Sequence, residues 1–261
     1  MEKFFSTTES AVLFPEFIRC MVQSGVEQSV LSDVMAVHTK VDASEYVGGV
    51  LTDDTDYSTT TTDDAALPTA TYLESSSILT LDKYGRAVHA SYEAVRRQKL
   101  DAFGSILRAI GVRLSNTILA KATEKMIENA GSTIAAETSG SISYTDLTNL
   151  YGAFQDFDMT ALLASPSAAA VIMALDQMQE MASTQPNVIT LPFGAQLRKC
   201  ASMDTGYLVG LDTQFAMEMV TSGDLILETD KLIDNQLDVI TMSLHVGFRV
   251  MTADAIHILS L

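Results

Sequence analysis

Cysteine and histidine are scarce in this chain of 261 residues, and long apolar runs are missing. The two cysteines, Cys20 and Cys200, form no CxxC pair, which argues against a disulfide scaffold and fits a reducing cytoplasm. The longest clean apolar run, Ala168–Leu175, is far shorter than the roughly 20 residues that a membrane-spanning helix needs. The first ten residues contain no apolar stretch, so no signal peptide is predicted.

Positive charge is also scarce, with 16 Lys and Arg against 33 Asp and Glu and a net charge of -17. A general nucleic-acid-binding protein needs a basic face, so this balance argues against one. The basic residues are concentrated in residues 83–125, which hold 9 Lys or Arg and 3 Asp or Glu between two acidic segments. This segment is either a helix with solvated charges or a basic element that docks on acidic surfaces of its own or neighbouring chains.

Motifs for catalysis, metal binding and cofactor binding are missing as well. There is no HExxH group, no GxSxG elbow and no Gly-rich loop ending in Gly-Lys-Ser/Thr. The aspartates of the stretch "TDDTDYSTTTTDD" (Thr52–Asp64) could bind Ca²⁺ or Mg²⁺, but the glycine and closing glutamate of an EF-hand loop are absent. The sequence therefore predicts no catalytic, cofactor-binding or metal-binding residues and a protein that is not an enzyme.

The same acidic stretch separates two segments that read as extended. Residues 37–50 contain scattered β-branched residues and a turn or bulge signal at Gly48–Gly49, and Ala66–Lys83 is extended again. This order predicts a long two-stranded arm with a polar tip. Before it, residues 14–36 suggest a helix with Pro15 at its first position, interrupted at Gly25.

The strongest helical pattern covers residues 99–128. Apolar residues recur there at spacings of three and four, which predicts a long amphipathic helix with one buried stripe, ended near Gly131. The stripe consists of Phe103, Ile106, Leu107, Ile110, Leu114, Ile118, Ala122 and Met126. A polar connection over Gly131–Ser143 is expected to follow it.

The second half of the chain predicts an α/β unit and a closing sheet. A helical face carrying Leu147 and Leu150 precedes a buried strand at Met159–Ala164, and Ser165 and Pro166 then suit the cap and first position of a helix. Further strands are predicted at Tyr207–Asp212, Asp224–Thr229, Asp238–Val250 and Asp254–Leu259. The third of these alternates apolar and polar residues and indicates a half-buried strand.

This order of elements resembles the major capsid proteins of tailed bacteriophages, which have the Hong Kong 97 type fold. The closest local matches are "KYGRAVHASYEAV" before the long helix and "GFRVMTADAI" near the end, and no single motif is diagnostic. The resemblance covers about residues 13–261 and implies an α+β fold. Its parts would be an N-arm (1–44), an extended β E-loop (45–80), a P-domain with a long spine helix (81–131), an A-domain (132–230) and a second P-domain segment (231–261).

The resemblance implies a structural protein that self-assembles into an icosahedral head shell of hexamers and pentamers around phage double-stranded DNA. The E-loop would lie across a neighbouring subunit as an added strand pair. Acidic E-loop residues and basic P-domain residues would make inter-subunit contacts. The candidates are Asp53, Asp54, Asp56, Asp63 and Asp64 in the E-loop and Arg86, Arg96, Arg97, Lys99, Arg108 and Arg113 in the P-domain.

A portal is another implied partner. Some relatives carry a large N-terminal scaffolding segment that is later cleaved, but here Met1 lies only about a dozen residues before the N-arm helix, so a separate scaffold protein, or none, is expected. Packaged DNA would be contacted only nonspecifically, no membrane is involved, and the virion would assemble in the host bacterial cytoplasm. Some relatives crosslink through an E-loop lysine, but no lysine lies between Lys40 and Lys83, so the hold is expected to be noncovalent.

Three alternatives stay open at this level. An encapsulin-like nanocompartment shell would share the fold and enclose a cargo enzyme. A hydrolase could use Thr52–Asp64 as a lid. A tail-tube protein is disfavoured by the long helix.

Overall fold

The structure is a computed structural model that describes residues 8–27, 31, 33–52, 70–91, 100–179, 189–201 and 203–261. Its helices are α1 (Thr8–Glu27), α2 (Leu100–Glu128), α3 (Tyr144–Gly152), α4 (Pro166–Met173) and α5 (Asp176–Gln179). Its strands are β1 (Val37–Val41), β2 (Glu45–Thr52), β3 (Thr71–Thr80), β4 (Asp82–Ser91), β5 (Ser132–Ala135), β6 (Ala161–Ala164), β7 (Ile189–Thr190), β8 (Gln196–Lys199), β9 (Tyr207–Leu211), β10 (Met217–Leu232), β11 (Leu237–Val250) and β12 (Ile256–Ser260).

The strands form three sheets. Four strands lie in the order β1-β10-β11-β4, six in the order β5-β12-β9-β6-β8-β7, and β2 and β3 form a two-stranded ribbon. This mixture of helices and separate sheets confirms the predicted α+β class. Among the helices that the structure describes, none combines the length and the apolar character that a membrane span requires.

The ribbon of β2 and β3, called the arm from here on, confirms the predicted pair of extended segments. Its strands are antiparallel, and their register shifts where the three residues Ser75–Ser77 lie opposite the single residue Gly48. The bulge signal at Gly48–Gly49 is therefore confirmed. The acidic tip between the strands lies outside the described residues.

Helix α1 differs from its prediction at both ends. It begins at Thr8 and ends at Glu27, whereas residues 14–36 were predicted, so Pro15 lies inside it. Gly25 is helical and does not interrupt the pattern. Gly25 is needed for a close helix crossing, because a Cβ atom there would lie 2.3 Å from the carbonyl oxygen of Arg108 in α2. A Cβ atom at Gly111 would likewise lie 2.4 Å from the carbonyl oxygen of Val22. The two glycines let the helix backbones touch.

Helix α2 confirms the predicted long amphipathic helix. Leu107, Leu114, Ile118 and Met126 are buried, but Ile106, which was assigned to the same stripe, is 49% exposed. Ile106 lies about 100° around the helix from the buried Leu107, on the side that is exposed.

The predicted elements of the second half are confirmed at β6, α4, β9, β11 and β12, with two differences. Ser165 caps α4 by accepting the backbone N–H of Ala168 at 3.3 Å, with Pro166 in the first turn. The expected polar connection contains β5, which pairs in parallel with β12. The predicted strand at Asp224–Thr229 is the middle of the longer β10.

Helix α2 lies where the two larger sheets meet. Its buried residues share one cluster with Val246 and Phe248 of β11 and with Ile256 and Ile258 of β12. A second cluster packs α3 and α4 on the six-stranded sheet, and a third packs α1 and α2 on β11. The predicted domain limits stay predictions; the limit at residue 230 falls within β10.

Candidate functional site: the arm and its base

The arm exposes large apolar side chains in cross-strand pairs. Ile78 is 62% exposed and lies opposite Val47, and Leu73 is 59% exposed and lies opposite Val50. Tyr72 is exposed as well. An isolated two-stranded ribbon is marginally stable in water, and these side chains belong to none of the three buried clusters of the described residues. The arm therefore has the character of an element that completes its packing on another surface.

The base of the arm is tied to the four-stranded sheet by an ion pair. Arg249 of β11 donates from Nε and Nη2 to Oε2 of Glu218 in β10, at 3.0 and 2.7 Å. The same guanidinium donates from Nη1 to the carbonyl oxygen of Gly49 in the arm, at 2.5 Å. One side chain thus joins two strands of the sheet to the bulged part of β2.

The other carboxylate oxygen of Glu218 completes this network. It accepts hydrogen bonds from Oγ1 of Thr39 in β1 at 2.6 Å and from the hydroxyl of Tyr46 in the arm at 3.1 Å. Burial opposes ionisation of Glu218, but the bonds from Thr39 and Arg249 outweigh it and lower its pKa. Burial and the bond to Glu218 raise the pKa of Tyr46. Glu218 therefore stays charged, and Tyr46 stays protonated as a donor.

Close packing surrounds the ion pair. A Cβ atom at Gly48 would lie 2.3 Å from Nη1 of Arg249, so the guanidinium uses the space that glycine leaves. On the same strand as Arg249, Gly247 leaves room for Leu79 and Leu81, whose methyl groups would be 3.0 and 2.6 Å from a Cβ atom there. Glu218, Arg249 and Gly247 were not among the site residues predicted from the sequence, although Arg249 stands on the polar side of the predicted strand.

The predicted contact residues fall into two groups. Asp53, Asp54, Asp56, Asp63, Asp64, Arg96, Arg97 and Lys99 lie outside the described residues. Arg86 of β4 and Arg108 and Arg113 of α2 are exposed, and none of these three side chains forms an ion pair with another described residue. Their contact with a neighbouring subunit stays a prediction.

Two further lysines of α2 have partners within the helix. Lys121 donates to Glu124 at 2.6 Å and Lys125 donates to Glu128 at 2.5 Å. These are exposed pairs at a spacing of three residues, which contribute little to stability. The basic segment therefore contains both solvated helical pairs and cations with no partner among the described residues.

A serine–histidine pair lies in the six-stranded sheet. Oγ of Ser132 and Nδ1 of His257 are 2.8 Å apart, and the two residues are direct partners in the β5–β12 pairing. His257 is buried, and the ring of Phe154 packs on it edge to face at 4.5 Å. The geometry is that of a cross-strand tie inside the core. Within the described ranges, no group of three or more His, Cys, Asp or Glu side chains is arranged to hold a metal ion.

Comparisons with known proteins agree with the architecture. The family model "Phage capsid protein" matches residues 74–252, more than half of the chain. No curated protein matches this chain in sequence.

The solved structures that share this fold include capsids and an encapsulin. The capsid of an empty GTA particle has a TM-score of 0.64 at 14% identity and covers 89% of each chain. Microbacterium phage Oxtober96 has a TM-score of 0.63 at 13% identity, covering 89% of this chain and 90% of that one. The SrpI encapsulin of Synechococcus elongatus has a TM-score of 0.60 at 14% identity, covering 88% and 86%.

In this fold the arm corresponds to the E-loop and α2 to the spine helix. With the family match extending from β3 through β11, the chain belongs to the phage capsid protein family, as a major capsid protein with the Hong Kong 97 type fold.

Proposed function

We propose that copies of this chain assemble into an icosahedral head shell that encloses double-stranded DNA, with the arm of each subunit lying across its neighbour. The family supplies the capsid role and self-association. The observation that carries the mechanism is the arm itself, which leaves Leu73 and Ile78 exposed although the body of the subunit has well-packed cores. A neighbouring subunit would cover these side chains.

Two kinds of contact are available to the arm. Its two strands pair with each other and with no other described strand, so each has an outer edge of backbone donors and acceptors for strand addition. Its tip carries five aspartates, and Arg86, Arg108 and Arg113 are exposed cations for pairing with acidic loops. No lysine lies between Lys40 and Lys83, so this hold is noncovalent.

The net charge of -17 suits a container for DNA. A protein gains affinity for DNA with every basic residue that neutralises a phosphate. Strong nonspecific attraction of this kind would resist the packaging and release of the DNA. The packaged DNA is therefore a nonspecific partner. A portal, a separate scaffold protein and assembly in the host bacterial cytoplasm complete the proposal, and the protein acts without catalysis.

Negative-stain electron microscopy of the purified protein tests this function. The wild-type chain is expected to form closed particles, whereas Ile78→Asp should remain at subunit size because a charge replaces an apolar contact. Ser76→Asp, which adds the same charge two residues away on the same exposed strand, is the matched control and should assemble. A wild-type protein that stays monomeric at all salt concentrations would refute the shell.

The likeness to an encapsulin leaves the contents of the shell as the point to test. Terminase and portal genes beside this gene would support a phage head. A neighbouring peroxidase or ferritin-like gene would instead support a cargo compartment. The arm has the same role in both cases.

A further inference from the structure

The contacts between the arm and the rest of the subunit, called the body, differ in how strongly they fix the direction in which the arm points. Leu79 and Leu81 pack on β11 through methyl groups, and such contacts hold surfaces together without fixing an angle. The N–H of Leu81 also donates to the carbonyl oxygen of Ser44 at 3.0 Å, which closes the base of the arm on itself. Neither contact prevents the ribbon from pivoting on the sheet.

The Glu218–Arg249 pair is directional. Arg249 presents a planar fork of donors, two of which are satisfied by one carboxylate oxygen and a third by the carbonyl oxygen of Gly49. Tyr46 reaches the other carboxylate oxygen from the same strand of the arm. Two points of β2 are thus fixed to one rigid group of the body, and two fixed points define an orientation.

We propose that the Glu218–Arg249 pair is an orientation lock that sets the angle at which the arm leaves the four-stranded sheet. The residues that it joins come from β1, β2, β10 and β11, and Gly48 is the space into which the guanidinium fits. Each subunit then presents its arm to a neighbour within a narrow range of angles, which favours regular contacts between subunits of the shell. This inference rests on the proposed role of the arm in assembly.

Burial supports this role over simple stabilisation. Glu218 is 4% exposed, and a buried ion pair contributes little net stability because desolvation offsets the attraction. Such pairs are better suited to specifying one arrangement, since any other arrangement leaves a buried charge unpaired. The exposed pair between Lys40 and Asp224, at 2.6 Å in the same sheet, reaches no arm residue and offers a comparison.

Spin-label distances between arm and body test the lock. The labels are placed at Ser76→Cys on the arm and Ala109→Cys on α2, both exposed, with Cys20→Ser to remove the exposed native thiol. The labelled subunits also carry Ile78→Asp, which is expected to prevent assembly, so that only distances within one chain are measured. If the wild-type chain does not assemble, the labels are placed in the wild-type chain directly. The intact lock is expected to give one narrow distance distribution.

The double variant Arg249→Met and Glu218→Gln removes both charges, so neither is left buried alone. It should lose the single narrow distance and give a broad distribution, and in an otherwise wild-type chain it should form particles of mixed diameter or open sheets. Arg249→Lys, which keeps the charge but lacks the fork, should fall between, and Lys40→Met should behave as wild type.

Gly48→Ala tests the same lock without changing a charge, because its Cβ atom would displace the guanidinium. It should broaden the distances as the double variant does. An unchanged distance distribution in both variants would overturn the lock. A thermal unfolding midpoint that falls in proportion to the broadening of the distances would also overturn it, because the pair would then be a general stabiliser of the subunit. Failure of the wild-type chain to assemble overturns the shell function and leaves the distance result readable.

Discussion

At the scale of single residues, each buried ionisable group has a defined set of partners. Asp146 of α3 accepts hydrogen bonds from the backbone N–H groups of Glu137 and Ser143 and from the hydroxyl of Ser143. Burial opposes its ionisation, but these bonds outweigh the burial and lower the pKa of Asp146. The imidazole of His257 lies 2.8 Å from Oγ of Ser132, and it also interacts with the backbone and the charge of Asp254.

Acid is expected to destabilise the subunit through His257. Burial lowers the pKa of His257 in the folded protein, so the folded state resists a proton that the unfolded chain accepts near pH 6.5. Stability should therefore fall as the pH drops below about 6.5. Urea unfolding between pH 8 and 5, compared with His257→Gln, measures this, and the variant should show a shallower loss. Equal slopes in the two proteins would assign the loss to other groups.

Asp146 forms a capping box with the N-cap residue Ser143 at the start of α3, and this cap can be tested at neutral pH. Asp146→Ala should lower the free energy of unfolding by about 1–3 kcal/mol, because three partly buried donors lose their acceptor. Asp204→Ala, which removes the acceptor of one exposed N–H at Gly206, should cost less than about 1 kcal/mol. Urea denaturation of both variants gives the comparison, and equal costs would contradict the cap's importance.

At this scale the sequence predicts local partners and misses distant ones. Ser165 and Pro166 are adjacent to the helix that they begin, so their roles are readable from their order. Arg249 and Gly49 are 200 positions apart, and no spacing rule connects them. Only the folded sheet brings the guanidinium to the arm, so the lock has no signal in the sequence.

At the scale of helices and strands, tertiary packing determines the features that local sequence patterns do not predict. The spine helix was predicted because it has a long pattern of period 3.6, and the arm because two segments that read as extended flank a polar tip. The start of α1 was misplaced because Pro15 suits a first helical turn, and Gly25 was read as a breaker because glycine has low helical propensity. Strand β5 was missed because its four residues are too few for a pattern.

The crossing of α1 over α2 should be sensitive to one methyl group. Gly111→Ala places a Cβ atom 2.4 Å from the carbonyl oxygen of Val22, so the helices must separate. We expect a loss of about 1–3 kcal/mol in unfolding free energy. Gly152→Ala, whose Cβ atom meets nothing within 4 Å, is the matched helical control and should be neutral or slightly stabilising. Thermal or urea unfolding decides, and a neutral Gly111→Ala would argue against a tight crossing.

At the scale of the whole molecule, charge opposes assembly unless it is matched locally. Subunits of net charge -17 repel one another, and at 0.1 M salt this repulsion is largely screened beyond a distance of about 10 Å. Ion pairs between basic and acidic surfaces of neighbouring subunits favour assembly. Salt weakens this attraction too, so through these pairs it opposes assembly. Assembly is therefore expected to depend on salt, with the sign of the dependence reporting which effect is larger.

The predicted pairing between the arm tip and the basic segment is tested by charge exchange. Reversing Arg96 and Arg97 to Glu should prevent shells at low salt, and changing the five aspartates within residues 53–64 to Lys should do the same. Combining the two sets should restore particles if these groups face each other. Light scattering follows the assembly, and shells that form equally well in all variants would show that charge at these positions is unimportant.

The exposed cations of the spine helix allow a test with a matched net charge. Arg108 and Arg113 make no ion pair with another described residue, whereas Lys121 and Lys125 are already paired within the helix. Reversing either pair of residues to Glu changes the net charge equally, so general repulsion increases by the same amount. If neighbouring acidic loops use Arg108 and Arg113, their reversal should block assembly at salt concentrations where the Lys121 and Lys125 reversal still gives closed particles. Sedimentation across a salt series separates the cases, and identical salt thresholds would mean that only the total charge matters.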